Sequence, residues 1–258
     1  MKKILVPTDF SDCALNALKQ ATVIAKKSGA VIDLVHLGME GNADALNKLN
    51  EITNLDFISG VEINKHHFDN VEMKKMFQIE AINNPDLIVM GTHGTTGTKT
   101  TLMGSNAANI ILSANVPVLV TKEHQTLSLS NVVFASNFDP ETEESFKDLQ
   151  KLIQQEDTTI HLLFVIIPSF FATTAMAEGK MEAFAKKMGI NNYTINVYND
   201  KTIETGIHNF SKKINADLIS METHGRKGLA HFFSGSITED VVNHADLPVL
   251  SMRIKTIN

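Results

Sequence analysis

Disulfides are the first thing this sequence excludes. Its 258 residues hold one cysteine, Cys13, so no internal cystine framework can form, and a lone thiol fits a reducing compartment. Basic runs are missing too. No stretch of Lys or Arg exceeds two residues and the net charge is −6, whereas a duplex-binding surface concentrates basic charge on one face. Nucleic acid is therefore not an expected partner. The longest apolar runs, such as LLFVII at 162–167, fall far below the roughly 20 residues of a membrane-spanning helix, so no membrane partner is expected. The opening MKKILVPTDF turns polar too soon for a signal peptide. The expected location is the cytoplasm. Hydrolytic signatures are also absent: there is no HExxH, no nucleophile–base motif, and no carboxylate pair placed for a two-metal site.

What is present is a repeat. KILVPTDFSDCALNAL (3–18) aligns with NVVFASNFDPETEESF (131–146), AVIDLVHL (30–37) with TTIHLLFV (158–165), PDLIVMGTHG (85–94) with ADLISMETHG (216–225), and NVPVLVTK (115–122) with DLPVLSMR (246–253). These copies divide the chain into domains at 1–124 and 131–258, joined through the polar stretch EHQTLSLSN (123–131). Each copy alternates short apolar runs with helical patterns. The first copy reads strand KILVP, a helix carrying Leu15, Leu18, Val23 and Ala25, strand VIDLVHL, a polar helix, strand VEINKHHF, another helix, strand DLIVMG, a glycine loop, helix NAANIILSA and strand VPVLV. Such alternation predicts an α/β class: two tandem doubly wound, Rossmann-like domains, each a five-stranded, mainly parallel sheet covered on both faces. Ligands of such sheets bind beyond the carboxyl ends of the strands, where strand order reverses.

The glycine loop occurs twice, as GTHGTTGTKTTLMGS (91–105) and ETHGRKGLAHFFSGS (222–236). It follows a buried strand and precedes a helix, so glycine backbone and helix N–H groups together suit an anion. A tight turn capped by Ser105 is the plainer alternative. No P-loop is present, because Gly97 is followed by Thr98 before Lys99, and no G-x-G-x-x-G follows the first strand. The spacing Gly91-x2-Gly94-x9-Gly104-Ser105, with the opening ILVPTDFS, resembles the ATP-binding motif of the universal stress protein family, and the resemblance covers nearly the whole chain. It implies an adenine nucleotide alpha hydrolase-like fold. It also implies binding of ATP or AMP, with Mg2+ held by the phosphates, in a stress-response or signalling module.

The resemblance further implies roles for single residues. Pro7, Thr8 and Asp9 end the first strand, with Asp9 accepting from the ribose hydroxyls. The backbones of Thr8 and Val35 flank and hydrogen-bond the adenine, and Met90 lines its pocket. The backbones of Gly91, His93 and Gly94 approach ribose and phosphates, and Gly104, Ser105 and Asn106 hold the phosphate tail. The plainer alternatives are a turn or cap role for Asp9 and core packing for Met90. The resemblance also implies a pseudo-dimer within the chain through pairing of the last strands, and leaves room for a homodimer. Two other readings stay open: a slow ATPase, and an interaction protein that no longer binds nucleotide.

The second copy departs from the motif at Glu222, which replaces Gly91, and at Asn137, which replaces Asp9. A carboxylate about 4 Å from a phosphate repels it by about 4 kcal/mol at an effective dielectric near 20. The expectation is one live N-terminal site and a degenerate C-terminal one. Glu222 is alternatively free to swing outward to Arg226 or Lys227, or to serve a different, cationic ligand. Among the remaining residues, His93 and His224 read as turn histidines. Lys99 is either a phosphate-steering or a solvated lysine, and Cys13 is a small buried side chain. His66, His67 and Asp69 lack a second cluster at metal-ligand spacing, so no metal site is expected. The stretch 170–188, with Met and Phe at helical spacing, reads as core or interface.

Overall fold

A computed structural model describes residues 1–38, 44–82, 84–92, 105–154, 157–169, 172–223 and 235–254. The chain divides into two compact units, Met1–Thr126 and Leu127–Asn258.

In the first unit β1 (Lys3–Pro7), β2 (Val31–Gly38), β3 (Ile63–Asp69), β4 (Leu87–Gly91) and β5 (Val118–Thr121) alternate with α1 (Asp12–Ser28), α2 (Asp44–Thr53) and α3 (Ser105–Ser113). The strand order is β3-β2-β1-β4-β5 and the pairings β2–β3, β1–β2, β1–β4 and β4–β5 are all parallel. The second unit repeats the scheme. Strands β6 (Asn131–Ala135), β7 (Thr159–Ile166), β8 (Tyr193–Asn199), β9 (Leu218–Thr223) and β10 (Val249–Arg253) take the order β8-β7-β6-β9-β10, again parallel. Its helices are α4 (Thr142–Ile153), α5 (Thr174–Met188), α6 (Ile203–Lys213) and α7 (Gly235–His244). In each unit the order reverses between the first and fourth strands, so a crevice opens at their carboxyl ends. The expected doubly wound α/β class is what the structure shows. No described helix is long and apolar enough to cross a membrane.

The central strands are buried on both faces, which is why they read as unbroken apolar runs: Ile4, Leu5, Val6, Leu87, Ile88 and Val89 are nearly inaccessible, as are Val132, Val133 and Phe134. Helix α1 starts at Ser11, whose Oγ accepts from the Ala14 N–H, and stops at Gly29 in the left-handed region, φ 71°. Its buried face is Ala14, Ala17, Leu18, Ala21, Ile24 and Ala25, while Val23 is 43% exposed. The sequence pattern put Val23 on the apolar face. In the fold, small alanines let α1 lie close to the sheet and Val23 falls on the outer side. The 170–188 stretch does contribute core: Met181 and Phe184 of α5 are buried, and Phe184 packs on Phe134, Phe138 and Phe146 with ring centroids 5.0–5.8 Å apart.

The crossover from β3 to β4 differs from the helix expected there. It holds 3₁₀ turns at Met73–Gln78 and Glu80–Ile82. Glu72 makes no side-chain cap, and the segment runs into Asn84, at φ 52°, and Pro85, which stop a helix. The equivalent α6 has a capping box, Thr202 with Thr205, and forms fully.

Candidate functional site

At the carboxyl end of β1 the chain makes a turn whose conformation is held by its own side chains. Phe10 sits at φ 67°, a region bulky residues rarely occupy. Its N–H donates to Thr8 Oγ1 at 3.1 Å, and the Ser11 N–H and Oγ donate to Asp9 Oδ1 at 3.0 and 2.5 Å. Asp9 is exposed and both of these bonds fall on one carboxylate oxygen. It is thus a turn residue, as its alternative reading had it. The Thr8 N–H donates to the Val35 carbonyl at 2.8 Å, so these two backbone groups are tied to each other at the strand ends. Pro7, Val35 and Met90 are buried beneath them. Gly91 ends β4. His93, Gly94 and Gly104 lie outside the described residues, as do Lys99 and His224, and so do the side chains of Ser105 and Asn106 at the start of α3.

Gly91 has a structural requirement that the motif did not reveal. A Cβ built there meets the Cys13 carbonyl carbon and oxygen at 2.7 Å. Glycine is needed because α1 lies directly on β4. Cys13 itself is a buried free thiol.

The second unit carries the same turn with different chemistry. Phe138 is at φ 55° and its N–H donates to Ser136 Oγ at 2.9 Å. Asn137 Nδ2 donates to Asp139 Oδ2 at 2.5 Å, and Lys180 of α5 bonds Asp139 Oδ1 at 2.7 Å. The Asn137 side chain is therefore bridged to its neighbour. The crevice lined by Ala135, Ser136, Asn137, Leu163, Phe164, Val165 and Ile203 encloses a cavity of only about 10 Å3, against the roughly 300–1,000 Å3 of ligand pockets.

Glu222 neither faces that crevice nor turns outward. It is 0% exposed, on the side of β9 covered by α4. Its Oε2 accepts from Ser136 Oγ at 2.6 Å and Thr142 Oγ1 at 3.0 Å, and its Oε1 accepts from Ser145 Oγ. Thr142 and Ser145 stand in the first turns of α4, where backbone N–H groups favour a carboxylate. Direct repulsion of a phosphate is accordingly not what this glutamate does. In the first unit the matching positions are Ala14 and Ala17. Glycine and two alanines on one side correspond to glutamate, threonine and serine on the other, a coordinated exchange visible in the repeat alignment once the helix positions are read together.

On β3 the two adjacent histidines part. His66 lies 3.2 Å from Asp33, a buried carboxylate that also accepts from Asn64 Nδ2 at 3.0 Å and pairs with Lys3 at 3.4 Å. His67 turns to the opposite face, 3.0 Å from Asp69. Among the described residues no group of three or more His, Cys, Asp or Glu side chains is placed to hold a metal. His36 is a residue that the sequence reading missed. It stacks on Phe10 with centroids 4.4 Å apart and meets His67.

Burial pushes the His36 imidazole below its ordinary pKa of 6.5, and His67 and Lys48 add to this while Asp9 and Asp69 oppose it. Burial likewise lowers His161. A lowered folded-state value means that the unfolded chain takes up the proton first. Stability is therefore full above pH 6.5 and falls as the pH drops through that value. Thermal melts between pH 7.5 and 5.5 are expected to show this slope, and His36→Gln with His161→Gln to flatten it.

The family profile of universal stress proteins matches residues 1–122 and again 129–253. The chain belongs to the universal stress protein family. A universal stress protein of Methanocaldococcus jannaschii is 34% identical over 140 residues, which is 47% of this chain and 82% of that protein. A second from the same organism is 28% identical over 153 residues, 47% of this chain and 94% of that one. The crystal structure of a universal stress protein from Archaeoglobus fulgidus superimposes with a TM-score of 0.73 at 18% identity, covering 98% of each chain. One from Pseudomonas aeruginosa gives 0.73 at 17% identity, over 98% of this chain and 93% of that one. Those two likenesses establish the fold of this tandem universal stress protein.

Proposed function

We propose that this universal stress protein is an adenine-nucleotide-binding module, taking ATP or AMP at the carboxyl ends of β1, β2 and β4 in its first unit. The observation that carries the reading is the contrast between Asp9 and Asn137. Asp9 is exposed, oriented through Oδ1 by Ser11, and offers its other oxygen to a diol. Asn137 is bridged to Asp139 beside a crevice smaller than a ligand pocket. Membership of the family and the Gly91-x2-Gly94-x9-Gly104-Ser105 spacing support the same reading, with Met90 and Val35 beside the base and Ser105 and Asn106 at the phosphate end. In this proposal the second unit is a structural partner and takes no nucleotide, and Mg2+ accompanies the phosphates without protein ligands of its own.

The test is calorimetric titration with ATP and AMP, alongside mass spectrometry of nucleotide released on denaturing fresh protein. About one nucleotide per chain is expected. Asp9→Ala removes hydrogen bonds to a charged group, at about 1.5–3 kcal/mol, so affinity should fall roughly ten- to hundredfold, while Asn137→Ala should leave it unchanged. Equal affinity in Asp9→Ala and wild type would sink the proposal.

A further inference from the structure

Two imidazoles meet at the carboxyl ends of β2 and β3. His36 and His67 are register partners across these strands, with Nδ1 atoms 3.0 Å apart and rings inclined by 23°. Nothing in the sequence spacing pairs them; the parallel register does. The arrangement is held from three sides. Phe10 stacks on His36. Asp69 Oδ1 lies 3.0 Å from His67 Nε2. Gly38 passes beneath both rings, where a Cβ would stand 2.9 Å from Cε1 of His67 and 3.0 Å from Cε1 of His36. Glycine at 38 is what allows the rings to close together.

The bond to Asp69 selects the tautomer. With the Nε2–H of His67 donating to the carboxylate, its Nδ1 is a lone pair, and the proton between the rings belongs to His36 Nδ1. Asp69 thus stands to His67 as the carboxylate stands to histidine in carboxylate–histidine–metal triads, fixing the tautomer and the ring orientation.

We propose that His36 and His67 form a two-imidazole site for a divalent transition metal of the Cu(II) or Ni(II) type, ligating through both Nδ1 atoms with water completing the shell. The separation favours one metal class. Metal–nitrogen bonds of about 2.0–2.1 Å spanning 3.0 Å subtend roughly 90–97°, the angle of neighbouring ligands in square-planar or octahedral geometry. Tetrahedral zinc would need the nitrogens about 3.4 Å apart. Ligation moves the His36 proton from Nδ1 to Nε2, a tautomer change that leaves each imidazole neutral and releases no net proton. The charges facing His36 are Asp9 from the β1 turn, Asp69 from β3 and Lys48 from α2. Two carboxylates against one ammonium favour a cation there. The proposal does not depend on nucleotide binding.

Full-length, metal-stripped protein would be titrated with Cu(II) and Ni(II) at pH 7.5 in a weakly coordinating buffer. The expected result is one Cu(II) per chain, with electron paramagnetic resonance showing superhyperfine coupling to two imidazole nitrogens. His36→Ala and His67→Ala should each weaken binding at least a hundredfold. Asp69→Ala should weaken it about 10- to 100-fold, and Gly38→Ala should weaken it by parting the rings. His66→Gln, whose wild-type ring points to Asp33, should bind as wild type. Circular dichroism and melting curves confirm that each variant is folded. Undiminished binding in folded His36→Ala or His67→Ala, coupling to a single nitrogen, or no stoichiometric uptake would overturn the proposal and leave a proton-sharing hydrogen bond as the role of the pair.

Discussion

Glu222→Ala is expected to destabilise the second unit by about 3 kcal/mol, the lower part of what its contacts sum to. The carboxylate is inaccessible and receives hydroxyls from Ser136, Thr142 and Ser145. Truncation strands those hydroxyls, at about 1–3 kcal/mol for each buried group left unsatisfied, and opens a cavity beneath the start of α4. Some of the loss is recovered because Ser136 Oγ and Thr142 Oγ1 already lie 3.0 Å apart and can bond each other. Glu222→Gln keeps the volume, and serine and threonine hydroxyls can turn to accept as well as donate. Its cost should be nearer 1–2 kcal/mol. The measurement is urea unfolding followed by circular dichroism, with amide exchange assigning the loss to residues 127–258. Ser145→Ala in a double-mutant cycle with Glu222→Ala should show coupling of about 0.5–3 kcal/mol. If Glu222→Ala unfolds like wild type, the carboxylate faces solvent, as it would if it swung out to Arg226 or Lys227.

Gly91→Ala is the inverse experiment, and is expected to cost the first unit about 1–3 kcal/mol, with a fall in Tm of several degrees. The added methyl would lie 2.7 Å from the Cys13 carbonyl carbon and oxygen and 2.9 Å from its Cβ. Two of these three atoms are backbone, so no side-chain rotation relieves the contact and α1 must shift as a body. The turn from Thr8 to Ser11 leads directly into that helix, so Asp9 should move with it. A loss of nucleotide affinity is therefore expected alongside the loss of stability, measured by the same calorimetry. Unchanged stability in Gly91→Ala would mean that α1 stands farther from β4 than the packing around Cys13 shows. The two substitutions separate two explanations of one motif position: glycine as room for a ligand, and glycine as room for a helix.

Much of this was legible in the residues. The repeat, the strands at KILVP and DLIVM, and the parallel order follow from local hydrophobic pattern, because strands buried on both faces must be apolar throughout. The burial of Cys13 followed too, and so did the presence of a turn at Asp9. Other features were not legible. Val23 fits the helical spacing of α1 as well as Ile24 does, and only the closeness of α1 to the sheet decides which is covered. The β3–β4 crossover has the apolar residues of a helix but lacks the cap that α6 has. Glu222 can be read as a gate, a surface ion pair or a buried acid until the helix carrying Thr142 and Ser145 is laid over it.

By itself the sequence determined the family, the two-fold repetition, the class of sheet, and the place where a nucleotide should be sought, because each depends on neighbours along the chain or on a comparison of its two halves. Tertiary structure decided the rest: that Glu222 lies beneath α4 with three hydroxyls, that Gly91 is demanded by Cys13, and that His67 meets His36 rather than its neighbour His66. Those contacts join residues 31 to 86 positions apart in the chain. Strand register and helix placement bring them together, and neither leaves a periodic trace in the sequence.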